Sequence, residues 1–237
     1  MIIARKSLNI SYNSSKIKIK TAKIGAMRTK KDINAIKNLF LENYKDAGSE
    51  LKFQNLYELL VCVMLSAQCT DKRVNLITPS LFEAYPDVAS LAQANLASVK
   101  ALINSCSFFN NKAENLIKMA KSVMSEFDGE IPATEKELMS LAGVGQKTAH
   151  VVLIEHFGSN LMAVDTHVFR VAHRLGLSRG KTPEAVELDL TKAFKTQLNT
   201  LHQAMVLFGR YTCKAVKPNC KECFLNELCS SKDKKFP

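Results

Sequence analysis

The chain has 237 residues, 46% of them hydrophobic, with only 9 Gly and 6 Pro. That is enough apolar material for one large or two small cores, and it excludes a disordered tail, a fibre and a turn-rich all-β protein. The formal charge of +11 is uneven: residues 1–31 hold nine basic and no acidic side chains, residues 32–191 hold 15 and 19, and residues 192–237 hold nine and three.

A positive leader and a positive end on a near-neutral body point to a polyanion partner. Taken alone, the leader reads equally well as a solvated tail. The longest uncharged apolar stretch, Leu59 to Ala67, is far shorter than the ~18 residues of a membrane span. The N-terminus lacks the apolar segment of a secretory signal. A soluble, intracellular protein is expected.

Residues 1–27 show no helical periodicity and are expected to be a flexible basic extension. They fit a flexible arm, an organellar leader or an upstream mis-start before Met27. From Lys30 onward helical spacing dominates. Ile33, Ile36, Leu39 and Phe40 share one face. Leu56 to Leu65 is almost wholly apolar, so a helix buried on every side is expected. It stops at Ser66-Ala67-Gln68-Cys69-Thr70-Asp71, which offers an N-cap for the next helix. Further stripes run through Leu96, Val99, Leu102 and Ile103, and through Ala113, Leu116, Ile117, Ala120 and Val123. Asp128-Gly129 and Pro132 break the chain. Thr134-Glu135-Lys136-Glu137 predicts a capping box that opens a short helix. No strand series and no βαβ rhythm is visible, so the fold class is all-α.

Leu141-Ala142-Gly143-Val144-Gly145-Gln146-Lys147-Thr148-Ala149 lies between two helical stretches. Its glycines permit positive φ and a tight turn. The backbone N–H groups, with those of the next helix N-terminus, can then approach a phosphate. An ordinary helix–turn–helix connection fits the same residues. Taken alone, Lys147 reads best as a phosphate contact, and Asp165 as the N-cap of a helix over Val168 to Leu175.

Seven cysteines, an odd number, suit a reducing compartment. Cys62, Cys69 and Cys106 are scattered, and Cys62 reads as a small core residue. Cys213, Cys220, Cys223 and Cys229 are spaced C-x6-C-x2-C-x5-C. Four thiolates so close repel one another unless a cation neutralises them, so a metal centre is expected. Zinc is one reading. Only one spacing is a zinc knuckle, however, and loops of six and five suit a larger object such as a cubane cluster.

The hairpin, Val164-Asp165-Thr166-His167-Val168-Phe169-Arg170 and the four-cysteine loop together resemble the endonuclease III family of helix-hairpin-helix DNA glycosylase/lyases. Leu65-Ser66-Ala67-Gln68 and Phe208-Gly209-Arg210-Tyr211-Thr212-Cys213 are similar to that family as well. The resemblance spans about residues 30–230. It implies two helical domains, 49–159 with the helix-hairpin-helix and 28–48 plus 160–237 with a [4Fe–4S] cluster on the four cysteines, and a cleft between them.

It further implies excision of oxidised pyrimidines from damaged double-stranded DNA, followed by a nick 3′ to the abasic site. Lys147 would be the nucleophile and Asp165 its catalytic partner. Gly143 and Gly145 would present amides to a phosphate. Gln68 would fill the gap left by an everted base. Phe108 would be the apolar wedge, core packing being the alternative for it. Lys217 would be a phosphate contact on the cluster loop, with Lys214 a weaker candidate. A monomer in the bacterial cytoplasm, at the nucleoid, is expected, with an organelle still open. The rival readings are a monofunctional glycosylase of the same superfamily and a non-catalytic, metal-stabilised DNA-binding module. Ala142 stands where the family has Pro, Gln146 replaces a common basic residue, and His150 stands where Asn is usual. Lesion preference and DNA affinity are the properties those departures touch.

Overall fold

A computed structural model describes residues 28–232 and 234; the leader expected over 1–27 lies outside the described residues. Thr29 opens the first helix, α1 (Lys30–Asn43), with a full capping box to Asp32. Burial of Ile36 and Phe40 fixes the inward face of α1. Asn55 caps α2 (Leu56–Ser66), in which Tyr57 and every residue from Leu59 to Leu65 are buried. Each such side chain contributes roughly 1.5–3 kcal/mol, which makes α2 the axis of one core.

Around α2 stand α3 (Asp71–Ala84), capped by Thr70, then α4 (Val88–Ala92), α5 (Leu96–Ile103) and α6 (Phe109–Glu126). The Ala113 to Val123 stripe is the buried face of α6. Next come α7 (Glu135–Ser140) and α8 (Gln146–Phe157). Only half of the expected capping box forms at Thr134. Its hydroxyl accepts from the Glu137 amide but donates to the Glu137 carboxylate, so that carboxylate does not reach back to the cap backbone.

A second core gathers α1, α9 (Thr166–Arg174), α10 (Pro183–Phe194) and α11 (Leu198–Tyr211). Phe40, Phe208 and Phe224 interlock there, with ring centroids 5.2–5.8 Å apart. Phe224 belongs to the cysteine loop, so that loop is anchored on α1 and α11. All regular elements among the described residues are helical, and no described helix is long and apolar enough to cross a membrane.

Side chains bridge the two cores. Gln203 of α11 donates to Glu155 of α8. Asn160 ties Lys195 and Leu198 to the segment after α8. His150 of α8 sits between Glu135 of α7 at 3.0 Å and Glu187 of α10 at 3.2 Å. Neither carboxylate lies along a ring N–H, so these are charge contacts that need a protonated ring. The Glu187 carboxylate, with Glu135 behind it, raises the His150 pKa against the opposing pull of burial.

A folded-state pKa above the unfolded ~6.5 stabilises the protein most at low pH. That contribution disappears as pH rises through the raised value. His150→Gln should therefore lower the melting temperature by about 2–4 °C at low pH. The gap from wild type should narrow in alkali, as paired thermal melts across pH would read; a gap independent of pH would show that only packing was lost.

Candidate active site and cysteine loop

The hairpin between α7 and α8 is built on one glycine more than on two. Gly143 takes φ +79°, and a Cβ there would meet the Asn115 side chain at 2.8 Å. Gly145 does not take positive φ, contrary to expectation. At φ −92° it is extended backbone serving as the N-cap of α8, without a capping side chain. The first amides of α8 therefore have no capping side chain, and a Cβ at Gly145 would meet only open space.

Lys147 is the second residue of α8, and Asp165 precedes α9. The Asp165 carboxylate accepts from the Val168 amide at 2.7 Å, so the capping role does exist. Packing of α8 near α9 and α11 brings Lys147 and Asp165 to one cavity of about 60 Å³. Asp71, His202, Glu50 and Arg210 line it as well.

The Lys147 amine is open to the solvent of this cleft yet has protein on most sides. Desolvation there lowers its pKa below the ordinary 10.5. Asp165 and Asp71 pull the other way, and Arg210 assists the lowering. Arg210 holds Asp71 at 2.7 Å and also pairs with Glu50, so much of the Asp71 charge is already matched. Arg210 is itself held charged, above its usual range: both carboxylates more than offset the opposing desolvation.

Glu50, His202 and the site role of Asp71 escaped sequence reasoning. His202 is fully enclosed on α11, and burial lowers its pKa to about 4, so it is neutral at physiological pH. Its Nδ1 has no hydrogen-bond partner among the described residues. Asp71 stood in plain view at the start of α3, but only its contact with Arg210, 139 residues away, places it in the site. Arg210 within Phe208-Gly209-Arg210-Tyr211 was the available signal.

Gln68 and Phe108 occupy separate turns, at the ends of α2 and before α6. Both are exposed non-glycine residues with positive φ, +53° and +57°, a conformation that costs of order 1–3 kcal/mol. Phe108 is 63% exposed, which removes core packing as its role.

Cys213, Cys220, Cys223 and Cys229 line a common cavity beside Arg174 and Phe208. Burial, reinforced by the other three sulfurs, pushes the Cys223 thiol up to about 12. Four thiolates are therefore untenable here without a compensating cation. No three described His, Cys, Asp or Glu side chains are near enough to hold a single ion. Four cysteines around one cavity are a donor set of the kind that thiolate-ligated metal groups take. Arginines of α9 clamp the loop: Arg174 donates to the Lys214 carbonyl at 2.6 Å, and Arg170 to those of Cys213 at 3.1 Å and Gly209 at 2.7 Å. Lys217 is exposed on this loop at φ +51°.

Residues 61–196 match the HhH-GPD superfamily of base excision DNA repair proteins. Endonuclease III of Rickettsia felis is 46% identical over 198 residues, covering 83% of this chain and 93% of that protein. Endonuclease III of Escherichia coli K12 is 40% identical over 194 residues, covering 81% and 92%. Among solved structures, a trapped endonuclease III–DNA covalent intermediate matches with a TM-score of 0.82 at 41% identity, over 86% of this chain and 96% of that one. A thermostable thymine-DNA glycosylase shares the fold at a TM-score of 0.76 and 22% identity.

Proposed function

The chain belongs to the endonuclease III family of the HhH-GPD superfamily and is a base excision repair DNA glycosylase/AP lyase, and on that premise we propose that it removes oxidised pyrimidines from damaged duplex DNA through a Schiff base on Lys147. The observation that carries this reading is a lysine at a helix N-terminus, its pKa lowered by enclosure, in one cavity with the Asp165 carboxylate.

The chemistry follows from those two groups. Departure of the base leaves positive charge on the sugar, which the Asp165 carboxylate stabilises. The neutral Lys147 Nζ attacks C1′ and forms an imine that acidifies the 2′ proton. β-Elimination then breaks the strand on the 3′ side. Enclosure favours the neutral amine; the positive potential of Arg210 acts in the same direction.

The everted base leaves a gap in the duplex, and unstacking costs a few kcal/mol. Gln68 and Phe108, already exposed on strained turns, are suited to fill that gap. The hairpin backbone at Gly143 and Gly145, the uncapped first amides of α8 and the exposed Lys217 are suited to grip phosphates. The two hydrophobic cores support a division into domains 49–159 and 28–48 plus 160–237. A monomer acting in the bacterial cytoplasm completes the reading.

The four cysteines would hold a [4Fe–4S] cluster. When bound, it supplies a rigid, cationic crosslink for a loop that has little core of its own. Protein purified without oxygen should absorb broadly near about 400 nm, and Cys220→Ala should lose that band. A colourless, zinc-loaded protein would rule out the cluster.

Borohydride reduction of the protein on an abasic duplex tests the central claim. A covalent protein–DNA complex is expected, with nicking of the unreduced sample. Base release without nicking would indicate a monofunctional glycosylase; binding with neither would indicate a DNA-binding module.

A further inference from the structure

Cys69 and Cys106 belong neither to the four-cysteine loop nor to the chemistry above. Cys69 directly follows Gln68, and Cys106 stands two residues before Phe108. Cys106 is buried, with its thiol 3.4 Å from the Leu65 carbonyl. Cys69 is half-buried and packs on the same core. Lys112 of α6 fastens the two turns together. Its ammonium donates to the carbonyls of Leu65 at 2.8 Å and Ala67 at 2.7 Å, and lies 3.2 Å from the Cys106 sulfur. The Cys69 and Cys106 thiols lie close enough for each to act on the other's charge.

We propose that Cys69 and Cys106 form a reversible dithiol–disulfide site, with small disulfides of the glutathione class as its oxidant, whose closure ties the Gln68 turn to the Phe108 turn and halts DNA incision. The functional consequence rests on reading those two residues as duplex wedges; the thiol chemistry does not.

The order of events follows from exposure. Burial raises the Cys106 pKa, with the Cys69 contact adding to it and Lys112 opposing it, so the more accessible Cys69 reacts first. Its thiolate attacks the small disulfide, forms a mixed disulfide and expels one small thiolate. The Cys106 thiolate, stabilised by the Lys112 ammonium, then attacks the Cys69 sulfur and expels the second. The two protons lost by the protein pass to the two departing thiolates. The small disulfide is reduced and the protein dithiol oxidised, two electrons in all. A covalent bond is shorter than the thiol contact it replaces, so closure draws both turns inward and removes the freedom they need to enter a duplex.

Full-length protein, purified reduced, is incubated with oxidised glutathione and mapped by mass spectrometry under non-reducing conditions, with nicking of an abasic duplex followed in parallel. The expected result is a Cys69–Cys106 crosslink and a loss of nicking of roughly tenfold to a hundredfold, both reversed by dithiothreitol, with absorption near about 400 nm unchanged. Cys69→Ser and Cys106→Ala should each nick normally before and after treatment; the first replaces a half-buried group and spares the core. Glutathione stably attached to Cys69 alone, no crosslink, or a crosslink with full nicking would overturn the proposal. Absence of nicking in the reduced protein would count against the repair reading instead, and the crosslink map would still decide the thiol chemistry.

Discussion

Lys147→Gln should bind an abasic duplex about as well as the parent protein, yet lose nicking by about 10³-fold or more and leave no complex for borohydride to trap. Gln keeps the polarity and most of the length of the side chain, and its helix propensity is close to that of Lys. Position 147 is open to the cleft, so the substitution creates no cavity in either core. What disappears is an attacking nitrogen. A trapped complex formed by this variant would transfer the role to another amine.

The same reasoning fixes the sign of a pH dependence. Attack requires the neutral amine, so single-turnover nicking by the parent should rise with pH and level off above the Lys147 pKa. Because enclosure lowers that pKa, the midpoint should fall below the ordinary 10.5. Arg210→Met removes a positive neighbour and frees Asp71, both of which raise the amine's pKa, so it should move the midpoint upward. An unmoved midpoint would mean that Arg210 acts only as a bracket between Asp71 and Glu50.

Helices were legible wherever burial follows the 3.6-residue period. The apolar run at Leu59 to Leu65 could only be an enclosed helix, and the stripe from Ala113 to Val123 faces inward. Polarity alone marked the stretch from Ser66 to Asp71, where Thr70 is the cap, and Thr134 as helix starts. Backbone conformation was less legible. Two glycines in the hairpin suggested two left-handed residues, but the close approach of Asn115 demands only one. The strained turns at Gln68 and Phe108 left no glycine to announce them.

The candidate site was legible only through motif resemblance. Local physics gave Lys147 and Asp165 ordinary roles, and Asp165 does cap α9. Their shared cavity comes from packing between segments far apart in the chain. The same holds for Asp71 with Arg210, for His150 with Glu187, and for His202 beneath the cavity. Periodicity reports which face of a helix is buried; it does not report which other helix lies against that face.

Asp165→Asn separates the two roles that converge on one carboxylate. Asn caps a helix about as well as Asp, and its amide oxygen can accept from the Val168 amide as the carboxylate does at 2.7 Å. The melting temperature should therefore stay near that of the parent, and so should binding to an abasic duplex. The negative charge is lost, and with it the stabilisation of a cationic sugar. Removing one well-placed electrostatic group of this kind costs about 10²–10³-fold in turnover, so base excision should fall by that amount. Loss of the charge also removes an influence that holds the Lys147 amine protonated. Nicking of a preformed abasic site, which needs no base departure, should consequently suffer less than excision. Asp165→Ala adds the lost cap, about 1 kcal/mol of stability, and its melting curve supplies the control. Equal losses of excision and nicking in the Asn variant would place Asp165 in proton transfer at the imine stage, whereas unchanged excision would reduce it to the cap.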